Sequence, residues 1–259
     1  MRRRVGASDD RGVLRRRAAR TLRTRELRDR FARDGYVHLP GFCPASQVDE
    51  LHRAVGTARE RVEEENPLSL ATMRFRSNLF YDSEVLQRFL TSPPVVELVS
   101  ALRGPDLWVR WDQAVWKGPD APVFPWHQDN GYTGLAAEHL QLWVALTPMT
   151  PDNGGLAVWP GAHRRPAAHH WVGNHVELDV DALEGRPLDL HVAAGDVVAF
   201  SSFLPHATVR NRTAETRLAY VAEYLPLDVD DAGVPAPHLV ACRDGHPVRE
   251  WIDRADARG

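Results

Sequence analysis

Beyond Gly104 the chain reads as a series of short β-rich stretches, and this series limits the fold more than any other feature. Residues 107–111, 114–116, 140–146, 156–159, 196–200, 206–209 and 217–225 are rich in β-branched, aromatic and aliphatic side chains. Gly118-Pro119, Asn153-Gly154-Gly155 and Ala194-Gly195 punctuate them with turn chemistry. Before Gly104 the periodicity is helical instead. Many short strands, with helices gathered on the N-terminal side, predict a mainly β fold with flanking α. The expected form is an antiparallel barrel or jelly roll with N-terminal helices packed outside.

The N-terminal part is expected to run as follows. Residues 1–22 form an Arg-rich leader with little apolar periodicity, expected to be flexible, and residues 23–259 form a single domain. A helix from Thr24 carries Leu27 and Phe31 on one face and stops at Asp34-Gly35, where Gly suits a left-handed cap. Residues 36–39 form a short strand. Ser46 caps a helix to about Glu65, with Val48, Leu51, Val55, Ala58 and Val62 on one stripe. Residues 66–82 are irregular, and helical pieces follow near 84–91 and 93–103, the second opened by Pro93-Pro94. The segment 164–187 is long, polar and His-rich, and is expected to be a loop lying over a site.

The chemistry concentrates in Trp126-His127-Gln128-Asp129-Asn130. In an extended strand, residues i and i+2 leave the same face, so His127 and Asp129 can grip one metal ion together. His206 is the best candidate for a third ligand. Two His and one carboxylate on one side of a metal, with other positions open, form the facial triad of non-haem Fe(II) oxygenases. The same ligand types also accept zinc. Arg217 lies in an apolar strand, where an inward charge needs a partner, and a bound dicarboxylate would supply one. Thr208 can add a hydroxyl donor to that anion.

Other classes are disfavoured. A net charge of −3 argues against a dedicated nucleic-acid protein. No apolar run approaches the roughly 20 residues of a membrane helix, and the N-terminus lacks a signal-peptide core. Cys43 and Cys242 form neither a disulfide framework nor a CxxC site, so a reducing cytoplasm is the default. Of the 32 basic residues only Lys117 is lysine, so Schiff-base chemistry would rest on that residue alone. Nucleotide-binding Gly-rich loops, GxSxG and HExxH are absent from the sequence. Nothing in the pattern addresses oligomeric state.

From about residue 26 to 226 the chain resembles the phytanoyl-CoA dioxygenase-like family of Fe(II)/2-oxoglutarate oxygenases. The resemblance is carried by Phe31 to Phe42 with its Asp34-Gly35-Tyr36 centre, His127-Gln128-Asp129 and Leu142 to Leu146. It continues through Asn153-Gly154-Gly155, Pro160-Gly161-Ala162-His163, Gly195-Asp196, His206-Ala207-Thr208 and Arg217. Ala162 and Thr208 depart from the family's usual Ser.

The resemblance implies a double-stranded β-helix with Fe(II) at its open end, held by His127, Asp129 and His206. Arg217 takes the 2-oxoglutarate carboxylate position, with Gln128, Trp143 and Thr208 as further cosubstrate neighbours. Gln113 is held to point inward two strands away. Asp129 disfavours halogenation, since related halogenases replace the metal carboxylate by a small residue. The expected activity is hydroxylation of a small molecule with 2-oxoglutarate and O₂ as cosubstrates, releasing succinate and CO₂. Desaturation, ring closure or epimerisation on the same fold, a barrel enzyme using no keto acid, and a non-catalytic ligand-binding barrel are the alternatives.

Overall fold

The computed structural model describes residues 22, 24–61 and 72–253. Apart from Leu22, the basic leader lies outside them, as do Val62 and residues 66–71. Residues 24–34 are helical (α1) and lead into β1 (Tyr36–Leu39). Three further helices follow: α2 (Ala45–Arg61), α3 (Glu84–Leu90) and α4 (Pro93–Arg103). Helix α2 begins one residue before Ser46. The β1 strand and helices α3 and α4 fall where the sequence places them, and α4 has Pro at its first turn and Gly104 as C-cap. The stretch expected to be irregular contains a strand, β2 (Met73–Ser77).

The remaining strands are β3 (Leu107–Lys117), β4 (Phe124–His127), β5 (Leu140–Ala145), β6 (Leu156–Val158), β7 (His169–Val172), β8 (His175–Leu178) and β9 (Leu188–Asp189). They continue with β10 (Val197–Ser201), β11 (His206–Thr208), β12 (Arg217–Pro226), β13 (His238–Arg243) and β14 (His246–Ile252). A short helix, α5 (Asn130–Thr133), follows β4. Two stretches expected as separate strands merge into β3. It is held on one edge by β12 along its length, and on the other by β13 near its start and β2 near its end.

The large sheet has the order β1-β10-β5-β12-β3-β13-β14, with β2 added beside β3. The smaller sheet has the order β4-β11-β6-β9. Every pairing is antiparallel. The result is a double-stranded β-helix with helices against one face.

The central strands β10, β5 and β12 of the large sheet are buried on both faces, which is why they read as continuous apolar runs rather than as alternation. On β12, Leu218, Tyr220, Ala222 and Tyr224 join the core on the helix side. Ala219 and Val221 join the core between the two sheets. Period-two geometry therefore turns Arg217, Ala219, Val221 and Glu223 toward the barrel interior. The neighbouring strands obey the same rule: Gln113, Val115 and Lys117 on β3, and Gln141, Trp143 and Ala145 on β5, share that face by register. Two polar levels result. Arg217 stands opposite Lys117 at one end, and Glu223 opposite Gln141 at the other.

Candidate active site

His127 ends β4 and His206 opens β11, and the two are register partners across the small sheet. Their rings lie 4.2 Å apart between centroids. The third residue arrives differently from the expectation. Asp129 is not on the strand: its backbone is helical (φ −62°, ψ −30°), because the chain turns into α5 immediately after His127. Tyr132 N and Thr133 N both donate to Asp129 O, which fixes that turn. The carboxylate still reaches both imidazoles, with Asp129 Oδ1 3.8 Å from His127 Nε2 and 3.7 Å from His206 Nε2.

Each imidazole is held by its own backbone. Nδ1 of His127 lies 2.8 Å from Pro125 O, and Nδ1 of His206 lies 3.0 Å from Leu204 O. A carbonyl only accepts, so Nδ1 carries the proton and Nε2 keeps its lone pair. Burial holds both rings neutral, lowering His127 well below the usual imidazole value and His206 to about 4. Burial, together with the nearby Glu223 charge, raises the Asp129 carboxyl, and Asp129 Oδ2 is buried with no hydrogen-bond partner. Among the described residues this is the one trio of His, Cys, Asp or Glu whose donor atoms converge, all within 4.8 Å of one another. Three lone-pair donors set beyond hydrogen-bonding distance fit a cation better than they fit each other.

Arg217 sits deep in the barrel and is 1% exposed. Its Nε donates to Gly154 O (3.1 Å), and Nη1 and Nη2 have no partner. The guanidinium lies 5.3 Å from the centre of the Trp143 ring. Desolvation lowers its pKa to about 9. Two forked donors left unpaired inside a protein are costly and fit a carboxylate.

Beside Arg217 is a residue the sequence reading passed over as a site residue, the single lysine. Lys117 is fully buried and donates to Thr208 Oγ1 (2.8 Å) and Thr208 O (3.1 Å). Burial, with the neighbouring Arg217 charge, lowers it to about 6. The Asn153-Gly154-Gly155 turn makes room for it. Gly154 has φ +86°, and a Cβ there would stand 2.6 Å from Lys117 Cδ.

The other expected residues divide. Thr208, Trp143 and Gln113 line one cavity of about 460 Å³ together with the three ligand candidates. Trp143 Nε1 donates to Met149 Sδ, and Gln113 Nε2 donates to Ser77 Oγ (3.0 Å). Gln128 does not line it. Its amide donates to Phe203 O and Arg165 O and accepts from Ala167 N, so it ties the end of β4 to two loops.

The far end of the cavity was not anticipated. Glu223 accepts from Arg110 and from Gln141 Nε2 (2.8 Å), and Arg110 also donates to Asp231. Glu223 was legible as an acid within an otherwise apolar strand; nothing local marks Arg110.

The segment 164–187 is also more ordered than a loop. It holds the hairpin β7–β8 and a 3₁₀ turn at Val180–Ala182. His169 Nε2 accepts from Gln128 N (3.1 Å), and Tyr132 Oη accepts from Val176 N. The hairpin is thus stitched to the turn that carries Asp129. Gly131 allows this approach, since a Cβ there would meet the His169 ring at 2.6 Å.

Comparison with known proteins agrees with this geometry. The family profile described as phytanoyl-CoA dioxygenase (PhyH) matches residues 31–219. A methylphosphonate hydroxylase of Gimesia maris is 25% identical over 78% of this chain and 81% of its own length. The peroxisomal phytanoyl-CoA dioxygenase of Rattus norvegicus is 30% identical over 56% of this chain, which spans about half (47%) of that enzyme. Among solved structures, the epimerase SnoN in complex with Fe3+, alpha ketoglutarate and nogalamycin RO superposes with a TM-score of 0.70 at 23% identity. That match covers 90% of this chain and 98% of SnoN.

Proposed function

The chain belongs to the phytanoyl-CoA dioxygenase family of non-haem iron, 2-oxoglutarate-dependent oxygenases, and we propose that within it this protein hydroxylates a small molecule, releasing succinate and CO₂. His127, Asp129 and His206 would hold Fe(II), and Arg217 would hold the distal carboxylate of 2-oxoglutarate. The observation that carries this reading is the pair of unpaired Nη groups of Arg217, buried in the same barrel as the triad.

The bound metal supplies the oxidising chemistry, coupling decarboxylation of the keto acid to attack on a substrate C–H bond. The chain's own residues do the rest. Pro125 O and Leu204 O keep the two imidazoles in the ligating tautomer. Lys117 buttresses Thr208 by donating to its hydroxyl, and Trp143 packs against the Arg217 guanidinium. Tyr132 and the β7–β8 hairpin cover the metal turn and exclude water. Hydroxylation is favoured over epimerisation because the relatives matched by sequence are named as hydroxylases or dioxygenases. The epimerase resembles this chain at the level of fold. Cys43 and Cys242 are unpaired and buried, in keeping with a reducing cytoplasm. None of the described helices is long and apolar enough to cross a membrane.

The test is stoichiometric. Purified protein with Fe(II), O₂ and 2-oxoglutarate should form succinate, faster with substrate than without, and should add one oxygen atom to the product. A product that keeps the substrate's mass would favour epimerisation. Absence of any succinate above a His206→Ala control would refute the reading.

A further inference from the structure

Resting on that reading, we infer that the substrate is a ring-sized, largely apolar molecule that carries no anionic group and offers a hydrogen-bond donor. Besides the triad and Thr208, the chamber of about 460 Å³ is walled by Phe75, Tyr81, Trp111, Phe124, Tyr132 and Val234. Aromatic and aliphatic walls of this kind bind by burying apolar surface, and the few polar groups among them set orientation.

The charged groups among them are one-sided. Among the described residues lining the chamber, Arg110 is the single lysine or arginine. It is already engaged by two carboxylates, Glu223 and Asp231, whose negative charges offset its own. Counted with Arg110, the two acids leave this wall negative. His139 Nε2 lies 3.6 Å from Glu223, but that ring is fully buried and does not line the chamber. Arg74 and Arg76 do not change the balance. Met73 and Phe75 line the chamber, and strand alternation sends the arginines between and after them to the other face of β2. Arg217 and Lys117 lie at the opposite level of the barrel, where the keto acid is placed.

The acceptors point to a donor on the substrate. A carboxylate only accepts, so Glu223 fixes Gln141 with Nε2 toward it (2.8 Å). This leaves Gln141 Oε1, in a residue 2% exposed, without a donor. A buried acceptor in that state favours a ligand carrying O–H or N–H and disfavours a carboxylate or phosphonate, which would face it with like partial charge.

The experiment uses three probes of one shape on the full chain. Naphthalen-2-ylmethanol, naphthalen-2-ylmethylamine and 2-naphthoate are titrated calorimetrically into anaerobic protein saturated with Fe(II) and 2-oxoglutarate, so that the cosubstrate level is filled. The alcohol and the amine should bind, and the naphthoate should bind at least about tenfold more weakly. Asp231→Asn removes one carboxylate from Arg110, lies outside the chamber lining, and should narrow that gap by strengthening naphthoate. The wild-type ranking decides by itself if the variant fails to fold. Naphthoate binding as tightly as the alcohol, or no binding of the alcohol at millimolar concentration, overturns the inference. Failure of 2-oxoglutarate itself to bind, measured first, brings down the functional reading and this inference with it.

Discussion

Replacing Arg217 by Met separates a binding residue from a structural one, because the two roles predict opposite effects on stability. The guanidinium is 1% exposed and spends one donor on Gly154 O while Nη1 and Nη2 go unpaired. Burial has moved its pKa from 12.5 to about 9, roughly 5 kcal/mol set against the charged form. Met keeps most of the packing on Trp143 and forfeits one hydrogen bond, worth about 1 kcal/mol. It also removes the buried charge. The ligand-free protein should therefore lose little stability or gain some. Binding of 2-oxoglutarate should lose two charge-assisted bonds, about 3 kcal/mol, which is ~100-fold in Kd. Urea unfolding of metal-free protein gives the first quantity, and anaerobic calorimetry with Fe(II) gives the second. A stability loss above about 3 kcal/mol with unchanged 2-oxoglutarate affinity would refute the reasoning and make Arg217 a structural residue.

Three further outcomes follow from the same geometry. Lys117 has a folded-state pKa lowered from 10.5 to about 6, so the unfolded chain binds the extra proton between those values. Its contribution makes the ligand-free protein more stable as pH rises from about 6 to 10.5, and Lys117→Met should flatten that slope in unfolding curves. His206→Ala should cut iron content and nearly abolish succinate formation while the fold survives, as read by metal analysis and circular dichroism; full iron content would remove it from the triad. Gly131→Val should push the His169 ring from the turn carrying Asp129 and lower product formed per succinate. A one-to-one ratio at full turnover would show that the hairpin does not shield the site.

The barrel and the triad were legible because they depend on local pattern. Turn chemistry between β-rich stretches marks an antiparallel fold, and His127, Asp129, His206 and Arg217 lie in motifs with recognisable spacing. The route was less legible than the result. Asp129 was expected on a strand with His127, yet it is the helical-backbone residue that precedes α5, and an i, i+2 spacing does not distinguish the two. Gln128 shares the motif but turns away from the cavity, because three backbone groups of neighbouring loops satisfy its amide. Lys117 precedes a Gly-Pro turn, and nothing local marks it as buried; its burial depends on the distant turn at Gly154 and on Thr208. The hairpin at 169–178 carries weak alternation, and its order comes from contacts with Gln128 and Tyr132.

The central claim is that one barrel holds Fe(II) and 2-oxoglutarate together, and the visible charge-transfer absorption of an Fe(II)–2-oxoglutarate chelate reports that directly. Anaerobic wild-type protein with both added should show the band at one equivalent of each, His206→Ala should not, and Arg217→Met should need ~100-fold more 2-oxoglutarate to develop it. No band in the wild type, or an undiminished band in His206→Ala, would contradict the account.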